Sequence, residues 1–84
     1  MKRIYTKAFN ELKKMGVPVY VNAEDNGNFS IDAEAPGATD WVDYYDGIVY
    51  GWDLGVNPKI EDVLQANRLY CEWVNPGRLA VYPA

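Results

Sequence analysis

Histidine is absent from this 84-residue chain, cysteine occurs once, at Cys71, and 8 Lys and Arg face 12 Asp and Glu. Each scarcity removes a class of chemistry. Without histidine and with a single thiol, the usual zinc sites cannot be assembled within one chain. Ser-His-Asp and Cys-His nucleophilic catalysis are excluded for the same reason. A lone Cys71 has no internal disulfide partner, which suits a reducing compartment, and a cytoplasmic location is expected. Its setting, Leu69-Tyr70-Cys71-Glu72-Trp73-Val74, reads as that of a buried small hydrophobe and not of a reactive thiol. Apolar runs are short, and none approaches the ~18 residues of a membrane span. The amino terminus shows neither the apolar stretch nor the small-residue cleavage site of a secretory leader. Phosphate-cradling glycine motifs are also missing. Gly47, Gly51 and Gly55 are regularly spaced in acidic surroundings, so turn and close-packing roles are expected of them.

What the chain does have is aromatic mass and a partitioned charge. Hydrophobic residues make up 49% and charged residues 24%, a globular composition, and twelve aromatics supply bulk for a core. One small domain spanning residues 1–84 is expected. A chain of this size buries little more than ~60% of its unfolded surface, so its stability depends on good packing. Residues 1–23 carry five bases and one acid, residues 24–62 carry ten acids against Lys59 alone, and residues 63–84 add a single positive charge. An acidic middle repels polyphosphate and attracts a basic surface, besides keeping an aromatic-rich domain soluble.

The hydrophobic periodicity predicts two helices. Ile4, Ala8, Leu12 and Met15 follow the 3.6-residue repeat, with Tyr5 and Phe9 widening the stripe and Arg3, Lys7, Lys13 and Lys14 off it. Gly16 is placed to cap that helix and Pro18 to stop it. Asn57-Pro58 opens the second helix as N-cap and first helical residue, with Ile60, Val63 and Leu64 on its apolar face and an end near Arg68. Strands are expected over Val17–Asn22, over Phe29–Glu34 with an acidic outer face, and over Leu69–Val74 and Leu79–Tyr82. Asn26-Gly27 signals a turn, and Asn75-Pro76-Gly77-Arg78 has the residue order of a type II turn. Asp46-Gly47, between β-branched and aromatic residues, favours a central hairpin over 40–53. The alternative is helical turns through Tyr45 capped by Asp40. The expected fold is therefore α+β, two helices packed on antiparallel hairpins in the order helix-strand-strand, central aromatic hairpin, helix-strand-strand.

Two chemical readings fail on their own terms. Asn22 to Ser30 has the oxygen spacing of a calcium loop, but Asn stands first, Ala33 occupies the bidentate Glu position, and strands flank it. Asp32 with Glu34, and Asp43 with Asp46, could pair for acid–base work, yet so short a chain has little room for a water-excluding cleft. No catalytic residue, metal ligand or cofactor is expected, and the protein is read as a non-enzyme.

The distinctive feature is the interleaving of Trp41, Tyr44, Tyr45, Tyr50 and Trp52 with Asp40, Asp43, Asp46 and Asp53. Rings supply buried anchors at an interface and acids supply steering and pairing with Lys or Arg. The candidate partner-binding set is Asp32, Glu34, Asp40, Asp43, Tyr44, Tyr45, Asp46, Trp52 and Asp53, facing a basic protein surface. Charge reversal at Asp43 and Asp46 together is expected to abolish binding without unfolding. In size and charge, though in no motif, the chain resembles small inhibitors of nucleic-acid enzymes: nuclease immunity proteins and the anti-restriction or anti-CRISPR proteins of phages and plasmids. The resemblance implies occlusion of the basic groove of a nuclease or defence complex. Alternatives are a nucleic-acid-binding or regulatory module using the basic first helix, and salt-sensitive self-association.

Overall fold

A computed structural model describes residues 1–22 and 28–84. The Asn26-Gly27 turn lies outside the described residues. Helix α1 (Arg3–Met15) and helix α2 (Pro58–Ala66) each precede two strands, β1 (Val19–Val21) and β2 (Phe29–Asp32) after the first, β3 (Leu69–Asn75) and β4 (Arg78–Pro83) after the second. The four strands form one antiparallel sheet in the order β1-β2-β4-β3, so each helix-strand-strand unit contributes one central strand. This is the α+β architecture expected from the periodicity.

The helix boundaries follow from their caps. Gly16 takes a left-handed conformation (φ 97°), its amide donating to the Lys13 carbonyl while the Val17 amide reaches back to Leu12. That is the Schellman pattern, and the accompanying apolar pair, Leu12 and Val17, is buried. At the other helix the Asn57 side chain accepts from the Lys59 amide (3.0 Å) and Pro58 fills the first turn. The apolar stripe of α1 runs through Tyr5, Ala8 and Leu12, with Phe9 and Met15 half-buried, and Ile4 is exposed. The stripe is thus the expected one except at its first turn, where Tyr5 is buried in place of Ile4. Tyr5 and Phe9 both meet Phe29 edge-on, at 6.3 and 5.4 Å between ring centroids, and these contacts set the helix rotation.

Both helices cover one face of the sheet. Phe29 and Ile31 of β2, Leu79 and Val81 of β4 and Leu69 of β3 meet Tyr5, Ala8 and Leu12 of α1 and Ile60, Val63 and Leu64 of α2 in a single core. The opposite face holds a finding that alternation missed. Ser30, expected on a solvated acidic face, is fully buried, as is Ala80 opposite it in the register. Strand β2 is central, and the Ser30 hydroxyl accepts from the Asn22 amide (2.7 Å) and the Arg78 guanidinium (3.1 Å), which close over it. Strand β1 is shorter than expected, and only the Val17 and Val19 end of its apolar set is covered, because Val21 lies at the sheet edge and is exposed.

Two turns depart from expectation. Gly77 is not among the residues with positive φ, so Pro76-Gly77 is not a type II turn. The Asn75 side chain instead accepts from the Gly77 amide (2.9 Å), an Asx turn, and a register shift between Trp73 and Asn75 absorbs the difference. The central segment is not a hairpin either. It contains single 3-10 turns at Ala38–Asp40, Gly47–Tyr50 and Asp53–Gly55, and its two ends are paired with each other by one isolated antiparallel bridge between Val42 and Val56.

The buried Ser30 cluster yields a stability prediction. Ser30→Ala removes the acceptor of the buried Asn22 side-chain amide, and should cost about 1–3 kcal/mol in urea denaturation. A cost indistinguishable from zero would mean water reaches this face freely.

Candidate functional site

The segment from Asp43 to Gly55 is a locked loop, and its lock is made of backbone. The Asp43 amide donates to the Gly55 carbonyl (2.8 Å) and the Asn57 amide to the Trp41 carbonyl (2.9 Å), closing the loop at its base. Inside, the Gly47 amide returns to the Asp43 carbonyl (2.9 Å) and the Trp52 amide to the Gly47 carbonyl (3.2 Å). Two of the regularly spaced glycines explain why this fits. A Cβ on Gly55 would lie 2.3 Å from the Asp43 carbonyl oxygen, and one on Gly47 would lie 2.4 Å from the Gly55 Cα. No other residue permits backbone to pass so close to backbone.

Two side chains complete the lock. The Asp43 carboxylate accepts from the amides of Tyr45 (3.2 Å) and Asp46 (3.0 Å), turning the chain into the 3-10 turn. The indole of Trp73, on β3, donates to the Leu54 carbonyl (2.7 Å) and ties the loop to the sheet. Leu54 itself has φ 54°, ψ 21°, a left-handed conformation that costs a non-glycine residue about 1–2 kcal/mol. Strain of this kind persists where surrounding contacts over-determine the backbone, and here the Trp73 indole does so.

Locking the backbone turns side chains outward. Tyr45 is 74% exposed, Ile48 and Val49 77% each, Tyr50 61% and Leu54 72%, all within ten residues of sequence. Isolated exposed apolar residues are ordinary, but five on one hydrogen-bonded loop of so small a domain are a concentration of exposed apolar surface. Carboxylates alternate with these residues along the chain. Asp40, Asp46 and Asp53 are exposed, and no lysine or arginine occurs between Lys14 and Lys59.

The structure distributes the sequence-derived set unevenly. Asp40, Tyr44, Tyr45, Asp46, Trp52 and Asp53 belong to the loop or its base, and Glu34 lines a cleft of about 220 Å³ with Asp43, Tyr44 and Tyr45. Asp32 stands apart, opposite Arg78 on the helix-free face, its carboxylate accepting the Glu34 amide (2.9 Å). Trp52 is half-buried beside Tyr50, and Trp41 is packed against the core. Asp43 is engaged in the turn, so its reversal would disturb the loop itself and is not a clean test of binding. Ile48, Val49, Tyr50 and Leu54 were not in the set. A hairpin reading assigns such β-branched and aromatic residues to strand faces, and the glycine spacing was the one local signal against it.

Cys71 lies outside this site. Its thiol donates to the Glu61 carboxylate (3.3 Å), and burial, reinforced by that negative charge, pushes its pKa well above the ordinary thiol value. The thiolate, the reactive form, is thereby disfavoured. Tyr5 is shifted in the same direction by burial. Among the described residues, no group of three or more Cys, Asp or Glu is arranged to hold a metal ion. No helix among them is long and apolar enough to cross a membrane. Comparison with protein families, with curated proteins and with solved structures finds no match to this chain.

Two outcomes test this description. Gly55→Ala should destabilise the fold by about 1–3 kcal/mol through overpacking and accelerate amide exchange from Asp43 to Trp52, whereas Gly16→Ala should leave exchange in that loop unchanged. For Cys71 the folded state favours the neutral thiol, so its contribution is full below the unfolded thiol pKa of about 8.5 and is lost as pH rises above it. Urea midpoints between about pH 8 and 9.5 should therefore fall more steeply in the native chain than in Cys71→Ala. Parallel profiles would show that the thiol is not held by burial.

Proposed function

We propose that this protein is a non-enzymatic docking module. It would act as an inhibitor that covers the basic, nucleic-acid-binding surface of a nuclease or bacterial defence complex. The observation that carries this reading is the outward projection of Tyr45, Ile48, Val49, Tyr50 and Leu54 from a loop locked by its own backbone. A side chain held rigid before contact loses little conformational freedom on binding, so more of its burial is retained as affinity. Large apolar and aromatic anchors surrounded by a polar rim are the composition of binding hot spots.

The acidic residues set the partner's sign. Asp40, Asp46 and Asp53 steer the loop toward lysine- and arginine-rich surfaces and away from polyphosphate, so binding should weaken as salt rises. A surface that binds nucleic acid presents such cations, and the domain would compete for them. In this reading the basic face of α1, with Arg3, Lys7, Lys13 and Lys14 exposed, points to solvent and keeps the molecule soluble.

The test is affinity capture from nuclease-treated bacterial lysate with a salt step, run with the native chain and with Ile48→Asp/Val49→Asp. Both residues are exposed, so the double variant should keep the native melting temperature within a few degrees. The expected result is a basic nucleic-acid enzyme released by salt from the native chain, absent from the variant, and inhibited by the purified native protein. Identical capture by both proteins, or a target whose activity is unaffected, would overturn the reading. At low salt the chain alone should not shift DNA, and a shift would favour a role for α1.

A further inference from the structure

We infer that two clefts of the loop, one at Asp40 and one at Asp53, are receptors for arginine side chains, so that the docking partner presents two guanidinium groups to the loop. The inference deepens the docking reading and rests on it. One cleft, about 280 Å³, is lined by Thr39, Asp40, Tyr50 and Trp52. The other, about 310 Å³, lies among Tyr44, Ile48, Asp53, Leu54 and Trp73. Small-molecule sites run from about 300 to 1,000 Å³, so each cleft is at the lower limit and suits one side chain.

The two clefts are built alike from unrelated stretches of chain. Each offers one carboxylate and two aromatic rings in contact, Tyr50 with Trp52 at 5.3 Å and 50°, Tyr44 with Trp73 at 5.3 Å and 85°. Among the described residues the carboxylates of Asp40 and Asp53 accept no hydrogen bond, whereas those of Asp32, Asp43 and Glu61 do. The Trp73 indole N–H is already given to Leu54, which leaves its ring to be covered.

A carboxylate beside ring faces selects among cations. A guanidinium is planar, weakly hydrated and forked, so it can stack on a ring while its edge pairs with the carboxylate. An ammonium is a strongly hydrated point charge and gives up more on entering. Phosphate is repelled by the carboxylate, which makes these clefts unsuited to the nucleic acid itself. The absence of any lysine or arginine between Lys14 and Lys59 means that no cation of the loop's own competes for the clefts.

The experiment is amide and indole NMR titration of the full chain with a Gly-Arg repeat peptide, and with Gly-Lys and Gly-citrulline peptides of equal length. Saturable shifts are expected at the Trp52 and Trp73 indoles and at the Asp40 and Asp53 amides. Affinity should fall about three- to tenfold for the lysine peptide and be lost for citrulline. Asp40→Asn should remove the response at Trp52 alone and Asp53→Asn that at Trp73 alone. Both are isosteric changes at exposed carboxylates, and the rest of the spectrum reports that the fold is kept. Equal, diffuse shifts with arginine and lysine peptides that also move Asp32 and Glu72 would overturn the inference, leaving only general charge attraction. Val49→Asp, at a residue that lines neither cleft, should still bind the arginine peptide. Partner capture through Ile48 and Val49 with no arginine response would sink this inference and leave the docking reading standing. An arginine response without capture that depends on those two residues would do the reverse.

Discussion

The contact on which the rest of this structure depends is the passage of Gly55 against the Asp43 carbonyl and Gly47. It brings two stretches of backbone together with no side chain between them. That proximity lets the Asp43 amide and carbonyl bond to Gly55 and Gly47 respectively, so the loop satisfies much of its polar backbone internally. With the interior of the loop filled by backbone, its large side chains have nowhere to go but outward. An exposed apolar surface here is therefore a consequence of internal closure and not of poor packing.

The α+β scaffold gives that loop a fixed base. Val42 and Val56 bridge at its neck and are buried in the same core as Phe29 and Leu64, so loop and sheet share one hydrophobic cluster. Trp73 adds a second tie from β3, and its ring then stands beside Tyr44, which itself meets Tyr45 edge-on. The result is a continuous aromatic path from the sheet to the loop surface. A loop anchored at three points by burial, backbone hydrogen bonds and an indole donor can present strained residues such as Leu54 without collapsing.

Charge is divided among the structural elements as it is along the chain. The lysines of α1 and the aspartates of the loop lie on different elements, and Asp40, Asp46 and Asp53 make no side-chain turn bond of the kind Asp43 makes. Local demands sort acids that look equivalent in sequence. Asp43 and Asp46 are three residues apart, yet one closes a turn through its side chain and the other stands exposed at the start of the next turn. Only the hydrogen-bond geometry distinguishes a carboxylate that shapes the loop from one left to meet a partner.

The local code by itself determined both helices, their caps at Gly16 and Asn57-Pro58, the β3–β4 pair and the α+β class. Each is written in contacts between residues a few positions apart, where periodicity and capping chemistry act. Tertiary structure decided three other things. Ser30 is buried because β2 became a central strand, which depends on β4 arriving from the far end of the chain. Tyr5 and not Ile4 opens the buried stripe of α1 because Phe29 is what it packs against. The segment from 40 to 55 is a locked loop and not a hairpin because Val42 meets Val56 and Gly47 meets Gly55. Asp46-Gly47 among β-branched residues has the local chemistry of a hairpin turn. What overrides it is a backbone approach available only to glycines already brought together by the core.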